Sequence, residues 1–341
     1  MMSDAPMTPR PALSIVTSLY KSEPYIEEFH RRVTQAVAAL KIPSYEIVYV
    51  NDGSPDRAKD LVLKVLALDP RVIMVDLSRN FGHHKALLAG LAYARGERVF
   101  LLDSDLEEDP ELLAPLTEEM DRRGCDVVYA RQITRRGGWF ERSSGHLYYW
   151  MMNALSGIDF PKNLLTLRLM TRRYVDSLLL YQEREVLLNG VAYLTGYDHV
   201  IIPVAKHRRN SSTHSFAELL RLAFISAISF SDRPLRWIFY AGFGITFFAF
   251  AYSAFILARY LFSGIGVSGF TSIIISIWII GGLNFLFLGT IGLYVATIFS
   301  ETKQRPNAIV RAVYGNKPVA AAGGTVAPPS EDSGPIARTK A

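Results

Sequence analysis

The sequence predicts an α/β protein, with a mostly parallel sheet in its first part and a hairpin of two membrane-spanning helices in its last part. Between residues 12 and 130, short β-branched runs alternate with longer amphipathic segments, which is the pattern of a parallel sheet flanked by helices. Later, Trp237–Ala258 and Thr271–Phe299 carry no charged side chain. Each is long enough to cross a hydrocarbon core of about 30 Å as a helix.

Composition supports this division of the chain. Charged residues make up 20% of the 341 residues and hydrophobic residues 50%, and mean hydropathy is +0.15. That much apolar surface excludes a mostly disordered protein. The single cysteine, Cys125, excludes a disulfide scaffold and a zinc site built on cysteines. Basic residues at Arg131, Arg135, Arg136 and Arg142 favour anionic lipid headgroups and a phosphate group, and nucleic acid is not expected as a partner.

The first region contains five predicted strands and four predicted helices. The strands are expected at 13–18, 45–51, 72–77, 98–103 and 126–130, and the helices at 25–40, 58–68, 84–94 and 110–123. Ligands of such sheets bind beyond the carboxyl ends of the strands. The polar residues that follow each strand are therefore the candidates for function.

The second region is predicted to be a hairpin whose two ends lie on the same side of the membrane. Basic residues flank those ends, whereas only Arg259 lies near the connection. They are Arg233, Arg236, Lys303, Arg305 and Arg311. The positive-inside rule then places the first domain and both termini in the cytoplasm. We expect a multi-pass protein of the cytoplasmic (inner) membrane.

These patterns divide the chain into six segments. They are a flexible N-terminus (1–11), an α/β domain (12–215) with an interfacial helix near 140–155, a juxtamembrane amphipathic helix (216–235), two transmembrane helices (236–300), a cytoplasmic juxtamembrane segment (301–315) and a disordered tail (316–341). The two amphipathic segments are predicted to seat the domain on lipid, although ordinary core helices would show similar spacing. Small residues in the second span predict self-association.

Acidic side chains follow two of the predicted strands. Asp52 ends the second strand, and Asp103 and Asp105 end the fourth. Carboxylate oxygens suit Mg²⁺ or Mn²⁺, and such a cation can share its coordination with a diphosphate. Asp109 precedes Pro110 and could simply cap the next helix. That explanation does not cover Asp103 and Asp105, which lie upstream of the cap.

Several motifs occur in an order that resembles one enzyme family over residues 12 to 311. They are Asp52-Gly53-Ser54, Arg79-Asn80-Phe81-Gly82, Asp103-Ser104-Asp105-Leu106, Asp109-Pro110-Glu111, Arg168-Leu169-Met170 and the entry to the membrane at Pro234-Leu235-Arg236. This chain resembles the polyprenyl-phosphate glycosyltransferases of the family-2, GT-A-fold group, which include bacterial undecaprenyl-phosphate sugar transferases and dolichyl-phosphate mannose synthase. The resemblance implies a GT-A domain.

The resemblance also implies a reaction. A sugar would pass with inversion from a nucleotide-sugar donor to a polyprenyl (undecaprenyl) phosphate at the cytoplasmic face, with Mg²⁺ or Mn²⁺ as cofactor. The product would be a polyprenyl-phosphate monosaccharide for modifying cell-envelope glycan or lipid. UDP is favoured over GDP on Asp52 alone. Two alternatives stay open: transfer to another lipid-linked or polymer acceptor, and a non-catalytic membrane scaffold that keeps the fold.

Site residues are carried over from the family by motif. The implied catalytic residues are Asp103, Asp105, Thr166 and Arg168, with Asp105 and Asp103 also as metal ligands. The implied donor-binding residues are Tyr20, Glu23, Asp52, Lys85 and Ser104. The implied phosphate- and acceptor-binding residues are Arg131, Arg135, Arg208 and Arg209. His83 and His84 are interpreted as structural, since no acid at ligand spacing accompanies them in the sequence.

The acceptor half of the family pattern is altered here. Thr166 stands where the family has an aspartate proposed as a base. An alcohol acceptor needs a general base, whereas a phosphate monoester, with a second pKa of about 6, is mostly dianionic at pH 7. The loss of the aspartate is therefore compatible with a lipid-phosphate acceptor.

Overall fold

The computed structural model describes residues 10–133, 164–181, 188, 195–204, 233–263, 269–315 and 326–327. The chain divides into two compact units. The first contains residues 1–136, 161–212 and 305–341, and the second contains residues 137–160 and 213–304. The predicted amphipathic segments near 140–155 and 216–230 lie outside the described residues, as do residues 1–9.

The first unit is built on a sheet of nine described strands. They are β1 (Leu13–Leu19), β2 (Tyr45–Asn51), β3 (Val72–Leu77), β4 (Arg98–Leu101), β5 (Val127–Gln132), β6 (Leu164–Thr171), β7 (His199–Val204), β8 (Ala308–Gly315) and β9 (Val326–Ala327). Their order is β7-β5-β6-β4-β1-β2-β3-β8-β9. The central pairs β4-β1, β1-β2 and β2-β3 are parallel, whereas β6 and β8 run antiparallel to their neighbours β4 and β3. The prediction of a mostly parallel α/β sheet is confirmed.

Five described helices follow strands of this sheet. They are α1 (Ile26–Ala39), α2 (Ala58–Leu68), α3 (His83–Tyr93), α4 (Leu113–Arg123) and α5 (Arg172–Leu178). The first four match the predicted helices to within a few residues. β1, β2 and β3 are buried along nearly their whole length, as expected for parallel strands covered on both faces.

The order of the central strands creates a crevice between β1 and β4. From β1 the chain moves to β2 and β3 on one side and then returns to β4 on the other side. At such a reversal the two connections leave in opposite directions, and ligands bind there at the carboxyl ends of the strands. The ends of β1 and β4 are therefore where a site is expected.

The strand β8 lies in residues 301–315, which we interpret from the sequence only as a cytoplasmic juxtamembrane segment. Its sequence, AIVRAVYG, is rich in the β-branched and aromatic residues that favour strands. The structure pairs β8 with the edge of β3. The Ser78 amide also donates to the Ile309 carbonyl at 2.9 Å, and Arg311 hydrogen-bonds the Ser78 carbonyl. Two residues of the predicted disordered tail, Val326 and Ala327, pair with the start of β8.

The second unit contains two long helices, α6 (Arg233–Ser263) and α7 (Phe270–Thr302). Both are long and apolar enough to cross a membrane, and they contain the predicted spans. Large apolar side chains such as Phe248, Phe262 and Phe285 are exposed on the surface of these two helices. An exposed apolar surface of this extent is typical of a membrane or protein contact.

Helix α3 packs very closely on the centre of the sheet through Gly90. A Cβ atom added at Gly90 would lie 2.6 Å from Val16 Cγ1 on β1 and 2.8 Å from Val50 Cγ2 on β2. Glycine is normally unfavourable inside a helix. Here the missing side chain allows the helix, and therefore its first residue His83, to approach the ends of β1 and β2.

We therefore expect Gly90→Ala to destabilise the protein by about 1–3 kcal/mol, the usual range for overpacking a core. The same substitution in an open helix would stabilise it by about 1 kcal/mol. The measurement is the thermal unfolding midpoint of the detergent-solubilised protein. Ala38→Gly, at an exposed position of α1, is the control for helix propensity alone. An unchanged or raised midpoint in Gly90→Ala would contradict the close approach.

Candidate functional site

The predicted acidic pair lies at the carboxyl end of β4, beside the crevice. Asp103 follows the strand by two residues, and its Oδ1 lies 3.3 Å from His83 Nε2. Asp105 Oδ1 accepts a hydrogen bond from the Glu107 amide at 3.0 Å. The next residue, Leu106, has a φ of 60°, a left-handed conformation that is uncommon for a non-glycine residue and is concentrated at functional sites.

Ser104, between the two acids, ties this turn to β1. Its hydroxyl lies 3.0 Å from the Ser18 carbonyl and 2.9 Å from Ser22 Oγ, and the residue is buried. The side chain therefore holds the turn in place in this structure. Its predicted contact with the donor remains a prediction.

Asp52 is the second acidic element of the site, and it is buried with 2% of its surface exposed. Its Oδ1 accepts from the Phe81 amide at 2.7 Å and its Oδ2 from the Gly82 amide at 3.0 Å. Burial raises the pKa of this carboxyl above its ordinary value, and the two amide hydrogen bonds partly oppose that rise. Asp52 thus joins the end of β2 to the loop that precedes α3.

Gly53 permits this contact between loop and strand. Its φ is 62°, and a Cβ atom added here would lie 2.6 Å from the Asn80 amide nitrogen and 2.7 Å from the Arg79 carbonyl carbon. Any other residue would combine an unfavourable backbone conformation with a clash against backbone atoms. The backbone conformation and the close approach of the loop therefore require glycine at the second position of the Asp52-Gly53-Ser54 motif.

The loop after β1 contributes the next predicted donor-binding residues. Tyr20 is 49% exposed, so its ring is available to a ligand. Glu23 Oε1 lies 2.7 Å from Arg57 in an ion pair, and hydrogen bonds from Arg57 hold the pKa of Glu23 below its ordinary value. In this structure Glu23 serves to connect the loop to the start of α2.

Two histidines open α3, and the tertiary structure corrects their interpretation. His83 Nδ1 lies 3.0 Å from Ser18 Oγ, and its Nε2 faces Asp103. An acid therefore accompanies His83 in space although none does in sequence. His84 points elsewhere: its Nδ1 is buried and has no hydrogen-bond partner within the described residues. Burial lowers the pKa of His84 to about 4, and the neighbouring His83 and Arg168 add to that effect.

Arg168 and Thr166 lie on β6, the antiparallel neighbour of β4. Arg168 is fully buried, with its Nε 3.0 Å from the Thr166 carbonyl and its guanidinium 5.1 Å from the centroid of the Tyr129 ring. β6 pairs Arg168 with Leu101 at the end of β4. The structure thus brings both residues to the strand beside the acidic turn.

The predicted cationic residues are only partly described. Lys85 lies partly buried in the first turn of α3, and Arg131 is exposed on β5. Arg135, Arg208 and Arg209 lie outside the described residues. The predicted roles of these side chains in binding phosphate remain predictions.

The residues present fit a divalent cation at the acidic turn. Asp103 Oδ1 is closed off from solvent and accepts no hydrogen bond within the described residues. A buried carboxylate oxygen without a donor is costly, and a cation would satisfy it. Across the same part of the chain, no group of three or more His, Cys, Asp and Glu side chains could hold a metal unaided. A cation here would therefore also need oxygens from a ligand, as Mg²⁺ sites with bound phosphates usually do.

The family model and two relatives that match this chain are all described as glycosyltransferases. The family model described as "Glycosyl transferase family 2" matches residues 14–178. A Mycobacterium tuberculosis protein assigned to the glycosyltransferases is 42% identical over 89% of this chain and 89% of its own. An Escherichia coli protein named "Prophage bactoprenol glucosyl transferase homolog" is 31% identical over 88% of this chain and 99% of its own.

Among solved structures, a mannosyltransferase from Pyrobaculum calidifontis in complex with GDP-Man and Mn²⁺ is similar to part of the chain. It is 18% identical over 65% of this chain and 64% of its own, with a TM-score of 0.46.

We expect Gly53→Ala to weaken nucleotide binding by roughly tenfold or more, since about 1.4 kcal/mol of strain at the loop corresponds to a factor of ten. Binding of UDP and of GDP, each with Mn²⁺, is measured by calorimetry on the full chain. Gly124→Ala is the matched control, because its φ of 63° is similar but nothing lies within 4 Å of the added Cβ. Equal binding by both variants would contradict a role for the Gly53 contact.

The lowered pKa of His84 leads us to expect that the folded protein loses stability on acidification. Its pKa is lower in the folded protein (about 4) than in the unfolded chain (about 6.5). The unfolded state therefore binds more protons between those values, and stability falls as the pH drops through that window. From His84 alone we expect about 2 kcal/mol less stability at pH 5 than at pH 7.5. His84→Gln should remove this contribution, whereas His199→Gln, at an exposed position, should keep it.

Proposed function

Because the chain belongs to glycosyltransferase family 2, we propose that it transfers a sugar from a nucleotide-sugar donor to a polyprenyl phosphate at the cytoplasmic face of a membrane. The observation that carries this proposal is the pair Asp103 and Asp105 at the carboxyl end of β4, beside the crevice between β1 and β4. The chain is a glycosyltransferase; its donor, acceptor and metal dependence are what we propose.

Two further observations support a lipid-linked acceptor. The Escherichia coli relative is named for glucosyl transfer to bactoprenol, and the alignment covers nearly all of that protein. In addition, α6 and α7 are long and apolar enough to cross a membrane. An acceptor with a polyprenyl tail stays in the bilayer, so an enzyme that uses it gains from membrane helices of its own.

On the donor side, Asp103 and Asp105 would hold Mg²⁺ or Mn²⁺ together with the diphosphate of the nucleotide sugar. The cation supplies positive charge beside the leaving diphosphate. The exposed ring of Tyr20 offers a stacking surface for the base. Asp52 holds the loop before α3 in place through the Phe81 and Gly82 amides, so that the pocket for the nucleotide is formed before the donor binds.

On the acceptor side, the proposed attack is made by a phosphate oxygen at the anomeric carbon. This single displacement inverts the configuration of that carbon, and the bond to the nucleoside diphosphate breaks as the new bond forms. The dianionic phosphate has no proton to give up at pH 7, so Thr166 needs no base function. Lys85 and Arg131 are the described side chains that we propose to attract the phosphate groups.

The decisive experiment uses membranes that carry the full chain. Radiolabelled UDP-glucose and GDP-mannose are incubated with undecaprenyl phosphate, with and without Mn²⁺ or Mg²⁺, and the organic-extractable label is counted. We expect product with one of the donors, its loss on chelation, and a loss of more than about 100-fold in Asp105→Asn, beyond what removal of a supporting residue of a metal site costs.

Asp60→Asn, an exposed position on α2, is the matched control and should keep full activity. Label that appears only with a polymer or another lipid as acceptor would overturn the lipid-phosphate part of the proposal. Product formation that is unaffected by chelation and by Asp105→Asn would overturn the donor part.

A further inference from the structure

We propose that His83 is a positioning residue that fixes the carboxylate of Asp103, and that Ser18 in turn fixes His83. The inference rests on the proposed function, because it assigns Asp103 to the donor and metal site. It concerns residues that are distant in the sequence and close in space: Asp103 follows β4, His83 is the first residue of α3, and Ser18 is the next-to-last residue of β1. These elements meet at the crevice between β1 and β4.

The contact with Ser18 determines which nitrogen of the His83 ring can carry the proton. His83 Nδ1 lies 3.0 Å from Ser18 Oγ. When the Ser18 hydroxyl donates to Nδ1, the proton of the neutral ring is on Nε2. The protonated Nε2 then lies 3.3 Å from Asp103 Oδ1. A donor is thus within reach of a carboxylate oxygen that accepts no hydrogen bond within the described residues.

Ser18 is well placed to hold the ring, because it is itself fixed from two sides. Its carbonyl accepts from Ser104 Oγ at 3.0 Å, and β1 pairs it with Val50 on β2. Ser18 therefore connects to the acidic turn twice, once through the Ser104 hydroxyl and once through His83. A displacement of Asp103 relative to β1 would disturb both connections.

Packing does not explain His83. Its side chain is 42% exposed, so it contributes little to the apolar core, whereas the neighbouring His84 has a buried Nδ1 atom. A partly exposed side chain that contacts both Ser18 and Asp103 is suited to orient the Asp103 carboxylate for metal binding. Residues that hold a metal-binding side chain in this way typically change metal affinity by about 10–100-fold when they are removed.

The test compares two substitutions that each keep half of the imidazole. The amide of glutamine reaches about as far as Nε2, whereas the shorter asparagine amide reaches only to the position of Nδ1. Mn²⁺ binding to the full chain in detergent is followed by the EPR signal of free Mn²⁺, in the presence of UDP and, separately, of GDP. Thermal midpoints of all variants are measured alongside.

We expect His83→Asn to raise the Mn²⁺ concentration at half-saturation by about 10–100-fold. His83→Gln should stay within about threefold of the unsubstituted protein, since it keeps the donor to Asp103. Ser18→Ala should fall between them. His199→Asn, on the exposed strand β7, is the control and should bind Mn²⁺ normally. The thermal midpoints should not follow this order.

The outcomes separate this inference from the proposed function. If His83→Asn binds Mn²⁺ normally while Asp103→Asn does not, His83 does not position Asp103, and the donor site stands. If Asp103→Asn also binds Mn²⁺ normally, the donor site itself is wrong. An equal loss in His83→Asn and His83→Gln would overturn the assignment to the Nε2 donor.

Discussion

The proposed donor side of this protein depends on one buried carboxylate, that of Asp52. Asp52 directly follows β2 and accepts hydrogen bonds from two successive amides of the loop that leads into α3. Hydrogen bonds to an ionised group are among the stronger ones in proteins, and a buried carboxylate without them would be costly. The loop, the first turn of α3 and hence His83 take their positions from this contact. The close packing of α3 at Gly90 supports the same arrangement from the other end of the helix.

The strand after the second apolar helix supports the same loop from outside. β8 pairs with β3, and Arg311 bonds the carbonyl of Ser78 at the point where the loop begins. Beneath it, the buried carboxylate of Asp76 contacts Lys59 at 2.6 Å and the Asn51 amide at 2.7 Å. Asn51 directly precedes Asp52, so the edge strand and the loop before α3 belong to one continuous polar network. A segment that follows the two apolar helices in sequence thus supports the proposed donor half of the site.

The two halves of the proposed reaction differ in how completely the described residues account for them. The donor half is a set of mutually supporting contacts at the ends of β1, β2 and β4. For the acceptor half we propose Thr166 and Arg168 of β6 and the cations Lys85 and Arg131, while its other predicted cations lie outside the described residues. This contrast agrees with the sequence, in which the motifs of the donor side match family 2 and the changes concentrate on the acceptor side. A phosphate acceptor is already ionised at pH 7. It therefore needs no general base in that half of the site, whereas an alcohol acceptor would need one.

Local patterns in the sequence determined the alternating strands and helices, the two apolar helices and the acidic turn after β4. Each of these depends on residues close together in the chain: β-branched runs, charge-free stretches and an Asp-Ser-Asp motif. Only the tertiary structure decided that β8 returns to the edge of β3, and that the Asp52 carboxylate is used to hold a loop. It also decided that His83, 20 residues before Asp103 in the chain, lies against it. The physical reason is that these contacts join the ends of separate strands, and strand order is set by how the whole sheet packs rather than by any local pattern.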